Sequence, residues 1–280
     1  MKTFINNFSI LYVFLVCIMI SCGTSSVNEN NVIQTEGNGI PEPQNIPYTV
    51  LNAYTHDTAA FTQGLEIYKG QMLESTGLEG RSSLRKVNEK NGKVSTLKKL
   101  DNELFGEGIT VLRDTLYQLT WQNHIVLVYD PVTFKQIRTM EWKNEGWGIT
   151  TDGKYLIISD GSDKLYFTNP NDLKIEKIVS VSDNYGPLNN INELEYINNT
   201  IYANRLDFDH IIRIDPSNGH VTGRMDLRDI LKKYSKTDIS YIETNLNGAV
   251  LNGIAWDSTS KKMYITGKLW PLLFELQVEP

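Results

Sequence analysis

Cysteine is almost missing from this 280-residue chain, and its two copies, Cys17 and Cys22, both lie near the start. From Gly23 onward there is neither a disulfide nor a thiol nucleophile, so a fold must be held by its core alone. The remaining length is ample for such a core. Histidine is scarce as well: His56, His124, His210 and His220 are scattered, and no pair has the spacing of metal ligands. A Ser-His-Asp hydrolase is disfavoured because no Gly-x-Ser-x-Gly turn is present. Net charge is -6, with lysine and arginine dispersed and no basic stripe, which disfavours nucleic-acid binding.

Long apolar runs are also lacking. The longest, Ile10–Ile20, is about half of what spans a bilayer, so it reads as the core of a signal peptide. It follows Lys2 and ends at Met19-Ile20-Ser21-Cys22-Gly23, an apolar pair, a small residue, a cysteine and a glycine. That order resembles the cleavage box of bacterial lipoproteins, in which the cysteine becomes the lipidated first residue. An ordinary secretory signal cut nearby is the alternative. Residues 1–22 are thus expected to be a lipoprotein signal peptide with Cys22 lipidated. The protein is then exported, periplasmic or at the cell surface, and membrane-anchored. Residues 23–46 are polar and rich in Ser, Asn, Gly and Pro, and are expected to form a disordered tether. The folded domain is expected over 47–280.

What is present is repetition. An apolar-aromatic strand, a turn, a second apolar strand and an Asp/Asn-Pro or Asn-Gly turn recur. Clear copies are Thr115–Thr120 with Ile125–Pro131, Lys154–Ser159 with Lys164–Pro170, and Thr200–Asn204 with Ile211–Pro216. Weaker ones begin near residues 72 and 263. A period of about 40–45 residues with this content is the signature of propeller blades. Five copies predict an all-β, five-bladed β-propeller. A two-sheet sandwich leaves the repeats unexplained. One amphipathic helix is predicted, over Asp226–Tyr234.

Propellers place ligands over the central channel. Just before each repeat's tyrosine-containing strand stands a short cluster: Phe61–Leu65, Phe105–Thr110, Gly146–Thr150, Leu188–Glu195 and Leu251–Ala255. These share a template: a polar or aromatic residue, then Gly or Glu, then a branched aliphatic. Read as blade-start turns, most serve ring closure. Glu107, a carboxylate between two glycines, would point into a narrow channel, where burial raises its pKa unless it is paired. A structural ion pair or a metal ligand are the other roles open to it.

At these clusters the chain resembles the plant and bacterial type of glutaminyl-peptide cyclotransferase, a family of five-bladed propellers. The likeness is carried by Phe61–Leu65, Glu74–Leu78, Phe105–Thr110, Tyr117–Trp121, Gly146–Gly153, Ser159–Ser162, Asn192–Glu195, Leu251–Asp257 and Thr266–Pro271, in order and at least once per blade. The resemblance implies conversion of N-terminal glutamine to pyroglutamate with release of ammonia. It puts the catalytic glutamate on Glu107 and polar substrate contacts on Asn192 and Lys268, whose N–H groups suit them as donors to the developing oxyanion. Substrate-binding aromatics fall on Phe61, Trp121 and Trp147, and a polar substrate contact on Gln63. No cofactor or metal is expected, since the scattered histidines separate the chain from the zinc-dependent animal type, while a structural cation in the channel stays open. The expected partners are glutaminyl peptides or proteins and, through the anchor, a membrane, with the chain itself a monomer. One position departs: where the plant enzyme has a further tryptophan, this chain has Leu206. The alternative function is a non-catalytic propeller lipoprotein that binds a peptide or glycan. A lactonase-type hydrolase would need a calcium site of several carboxylates.

Overall fold

The computed structural model describes residues 38–235 and 248–279. The expected signal peptide, Cys22 and the first part of the expected tether lie outside the described residues.

Short alternating runs become strands, and the turn residues between them show why they stop. Asn88, Asp130, Asn169 and Asp215 each follow a third strand, and each Oδ1 accepts the backbone N–H two residues on, at 3.2, 3.0, 2.9 and 2.8 Å. This local bond reverses the chain without help from the rest of the fold. It is the physical content of the repeated Asp/Asn phrase.

The strands form five antiparallel blades in a ring. Blade one is Thr62–Tyr68, Gln71–Thr76, Ser83–Val87 and Val94–Lys99. Blade two is Gly106–Leu112, Thr115–Thr120, Ile125–Tyr129 and Gln136–Glu141. Blade three is Ile149–Thr151, Leu156–Ser159, Lys164–Thr168 and Ile175–Ser180. Blade four is Ile191–Ile197, Thr200–Arg205, His210–Ile214 and Val221–Asp226. Blade five takes Leu251–Asp257, Lys262–Gly267 and Leu272–Val278 from the end of the chain, and its outermost strand, Tyr48–Thr55, from the beginning. That exchange closes the ring.

The core is divided among the seams between blades. Strand side chains alternate between faces, so each blade feeds two clusters. Leu156 and Ile158 pack toward blade two, while Ile157 between them packs toward blade four. Each of the five seams has its own buried cluster.

Three expectations are corrected. Residues 38–46, expected as tether, are held: Asn38 Nδ2 donates to the Asp183 carbonyl at 2.8 Å, Gln44–Asn45 pairs in parallel with blade four's outer strand, and Ile46 is 3 % exposed. The fold therefore starts before Pro47. The helix is only Ile230–Tyr234, because Asp226 still belongs to a strand, paired with His210, and Asp229 turns left-handed at φ 61°. Most of the polar-aromatic clusters are not blade-start turns; their key residues begin the innermost strands themselves.

Candidate active site

The repeat register locates the site. On the inner strands Leu65, Ile109, Ile149, Leu194 and Ile254 pair with Glu74, Gln118, Ile158, Ala203 and Ile265 of the second strands. Two residues before each aliphatic stand Gln63, Glu107, Trp147, Asn192 and Asn252. Three residues after each partner stand Gly77, Trp121, Gly161, Leu206 and Lys268. In blades one, two, four and five the pairing shifts by a residue at the first of these positions. Such a bulge re-aims a side chain, here toward the shared axis.

A cavity of about 220 Å³ results, lined by Phe61, Gln63, Phe105, Glu107, Trp121, Trp147, Asn192, Leu206 and Lys268. All seven expected site residues of the domain are brought together, and the departing Leu206 completes the wall. The aromatic side is continuous: Phe61 meets Phe105 edge to face at 6.1 Å between centroids, and Phe105 meets Trp121 at 5.7 Å. Gly77 leaves the room that Phe105 fills, since a Cβ there would lie 2.3 Å from its ring.

Glu107 is buried in this apolar setting, and desolvation pushes its carboxyl well above the ordinary carboxylate range. The Lys268 ammonium opposes that rise and the Glu145 carboxylate adds to it. Lys268 is itself 5 % exposed, so burial pulls its pKa down, against the charges of Glu107 and Asp207. Its Nζ sits 4.9 Å from the Phe61 centroid. Gln63 Nε2 donates to Glu107 Oε1 at 3.1 Å. Asn252 Nδ2 in turn donates to Gln63 Oε1 at 3.3 Å and to the Thr62 carbonyl at 3.0 Å, which fixes the Gln63 amide the right way round. Behind Glu107, its backbone carbonyl accepts from Ser75 Oγ at 2.5 Å. Asn192 Oδ1 is buried and has no partner among the described residues. An amide oxygen in that condition is suited to a ligand's N–H.

Three further carboxyl groups lie on the inner strands but are spent on the frame. Glu193 accepts the N–H groups of Leu65 and Ile254, Glu195 that of Trp256, and Glu66 that of Val111. Burial raises all three, Glu66 to about 7. Among the described residues no group of three His, Cys, Asp or Glu is arranged to hold a metal ion.

Three residues of the site were missed from sequence. Phe105 stands two places before Glu107, as Phe61 stands before Gln63, so that signal was available. Asn252 occupies the same template position as Gln63 and Glu107. Glu145 stands at the same place before Trp147, but the repeat does not give its role, which is set by side chains of two blades.

A family model for glutamine cyclotransferase matches residues 16–278. A glutaminyl-peptide cyclotransferase of Arabidopsis thaliana is 40 % identical over 233 residues, 82 % of this chain and 71 % of that protein. The crystal structure of a Myxococcus xanthus glutaminyl cyclase superposes with a TM-score of 0.76 at 34 % identity, covering 85 % of this chain and all of that one. With its five blades, its cavity of aromatics around one buried acid, and a family match over nearly its whole length, this chain belongs to the glutamine cyclotransferase family.

Proposed function

We propose that the cavity cyclises the N-terminal glutamine of peptides or proteins, with Glu107 moving the proton. The observation that carries this reading is a single buried acid of raised pKa, facing Lys268 inside an aromatic pocket.

In the reaction the α-amine nitrogen bonds to the side-chain carbonyl carbon, the bond from that carbon to the amide nitrogen breaks, and ammonia leaves. Nucleophile and electrophile are already in one residue, so the pocket's first task is to hold them folded together. Phe61, Trp121 and Trp147 do this without engaging the polar atoms. The amine loses a proton and the departing nitrogen gains one. Free α-amines titrate at about 7.7–8.0, and burial raises the Glu107 carboxyl in that direction, which makes proton transfer between the two groups less uphill than with an ordinary carboxylate. The amide of Gln63 holds Oε1 of Glu107, which turns Oε2 toward the reacting nitrogens. Lys268 and Asn192 stabilise the oxygen as it becomes negative. None of these steps calls on a metal or cofactor. In class the reaction is an acyl transfer within one residue, and a monomer contains every group named.

Incubation with a Gln-initiated dipeptide is expected to release ammonia. Glu107→Gln is expected to lower kcat by about 10²–10⁴-fold while folding normally, because the amide mimics the neutral acid that burial favours. Undiminished release by this variant rejects the mechanism.

The same reading makes the protein an exported lipoprotein, anchored through Cys22 and tethered by the polar segment after it. Its support is the apolar run with its Ser21-Cys22-Gly23 ending. Metabolic labelling with a tagged fatty acid in a bacterial host should mark the chain and fail with Cys22→Ser; an unmarked wild type excludes the anchor.

A further inference from the structure

We propose that Glu145 is a positioning residue for this cyclisation: one of its carboxylate oxygens holds both indole walls of the cavity in place. The proposal rests on the reading above.

The repeat shows how unusual the residue is. Two places before the cavity residue, blades one and two carry Phe61 and Phe105, both in the cavity wall. Blade three carries Glu145 at the same place, before Trp147. In place of a ring it supplies an acceptor. Its Oε2 accepts Trp121 Nε1 at 2.8 Å and Trp147 Nε1 at 3.1 Å, and its Oε1 accepts Gln122 Nε2 at 2.9 Å. Trp121 follows a strand of blade two and Trp147 precedes one of blade three, so a single atom ties the two walls across a seam. The backbone carbonyl of Glu145 takes a third indole, Trp142 Nε1, at 3.0 Å. An indole N–H has no other use than donation, so these bonds set the ring orientations that confine the substrate.

Charge gives the residue a second effect. Burial raises the Glu145 carboxyl, but the bonds from Gln122, Trp147 and Trp121, with His124 nearby, more than reverse this, and it stays an anion. That anion opposes ionisation of Glu107, while Lys268, on blade five, favours it. Lys268 in turn faces Asp207 at the end of blade four. Glu145 thus adds to the rise that burial gives the reacting acid.

The full chain with Glu145→Gln and Glu145→Ala tests this, read by ammonia release from a Gln-initiated dipeptide and by tryptophan emission. Glu145→Ala is expected to raise KM by about tenfold or more and to shift the emission. Glu145→Gln keeps an amide oxygen as acceptor and should hold KM within about threefold. In both variants the acidic limb of the kcat/KM profile should move to lower pH, since the repelling charge is gone. A role in stability alone would lower the melting temperature and leave KM, emission and the acidic limb in place, and that result overturns the proposal. If Glu145→Ala does not fold, the acidic limb of Glu145→Gln decides: an unmoved limb rejects the assignment. The emission arm needs no turnover, so an inactive wild type would sink the cyclisation reading, and the indole assignment would stand or fall on its spectrum.

Discussion

At Gly161 the backbone has φ 81°, and a Cβ built there would lie 2.6 Å from the Trp147 ring. Gly161→Ala therefore strains the chain by about 1–2 kcal/mol and displaces a wall of the cavity. Steady-state kinetics should show KM raised several-fold, with a melting temperature lower by roughly 2–4 °C per kcal/mol; an unchanged KM would show that Trp147 does not grip substrate. At this scale the sequence was informative where a residue's place follows the repeat. Gln63, Glu107, Trp147 and Asn192 each precede a Gly or Glu and an aliphatic in a cluster that recurs, but the template singled out only the carboxylate of Glu107, and the family resemblance supplied the other three. Trp121 and Lys268 lie past the second strands, outside that template, and only the family resemblance picked them out. The role of Glu145 was illegible, since hydrogen bonds between side chains of different blades leave no periodic trace, although its place in the repeat matches Phe61 and Phe105.

Strands and their turns were largely legible, because both are local. An Asp or Asn that bonds the N–H two residues on marks its own turn, and alternating aliphatics mark their own faces. Elements defined by distant partners were not. Tyr48–Thr55 carries no sign that it will pair with Leu272–Val278 at the other end of the chain, nor Gln44–Asn45 that it will join blade four. The helix was overextended for a related reason: Asp226 and Met225 are claimed by pairing with His210 and Ile211, and tertiary pairing overrides local helical periodicity. The inner strands were mistaken for turns because their glycines and polar residues suit a bulge on a buried axis better than an ordinary strand.

For the whole ring, the closing strand pairing is joined by a buried ionic network at the seam of blades five and one. His56, just past the closing strand, has Nδ1 2.8 Å from the Trp270 carbonyl and Nε2 3.0 Å from Glu74 Oε1. Glu74 also accepts Arg85 Nε and Nη2 at 2.9 and 2.8 Å, and Arg85 reaches Asp57 at 2.8 Å. Burial would raise Glu74, but His56 and Arg85 outweigh it and bring the carboxyl to about 2. Burial would lower His56, but Glu74 more than reverses this and raises it above its ordinary 6.5. A lowered acid stabilises the fold above its unfolded value of 4.5 and less as pH falls toward 2. A raised histidine stabilises below 6.5 and less as pH climbs through its folded value. The raised carboxyls of Glu66, Glu193 and Glu195 act in the second direction, losing stability as pH rises from 4.5. Thermal melts are therefore expected to peak near pH 4.5 and to fall further once pH passes 6.5, with His56→Gln flattening that later fall. A melting temperature that climbs steadily from pH 6 to 9 would contradict this. The ring has one more consequence, and it concerns descent. Gly77 lodges the Phe105 ring and Gly161 lodges the Trp147 ring, so an empty position in the repeat is already occupied by a neighbour. A lineage that remodels this pocket for a bulkier or smaller guest must exchange residues in pairs, and relatives should differ at such pairs jointly or at neither member.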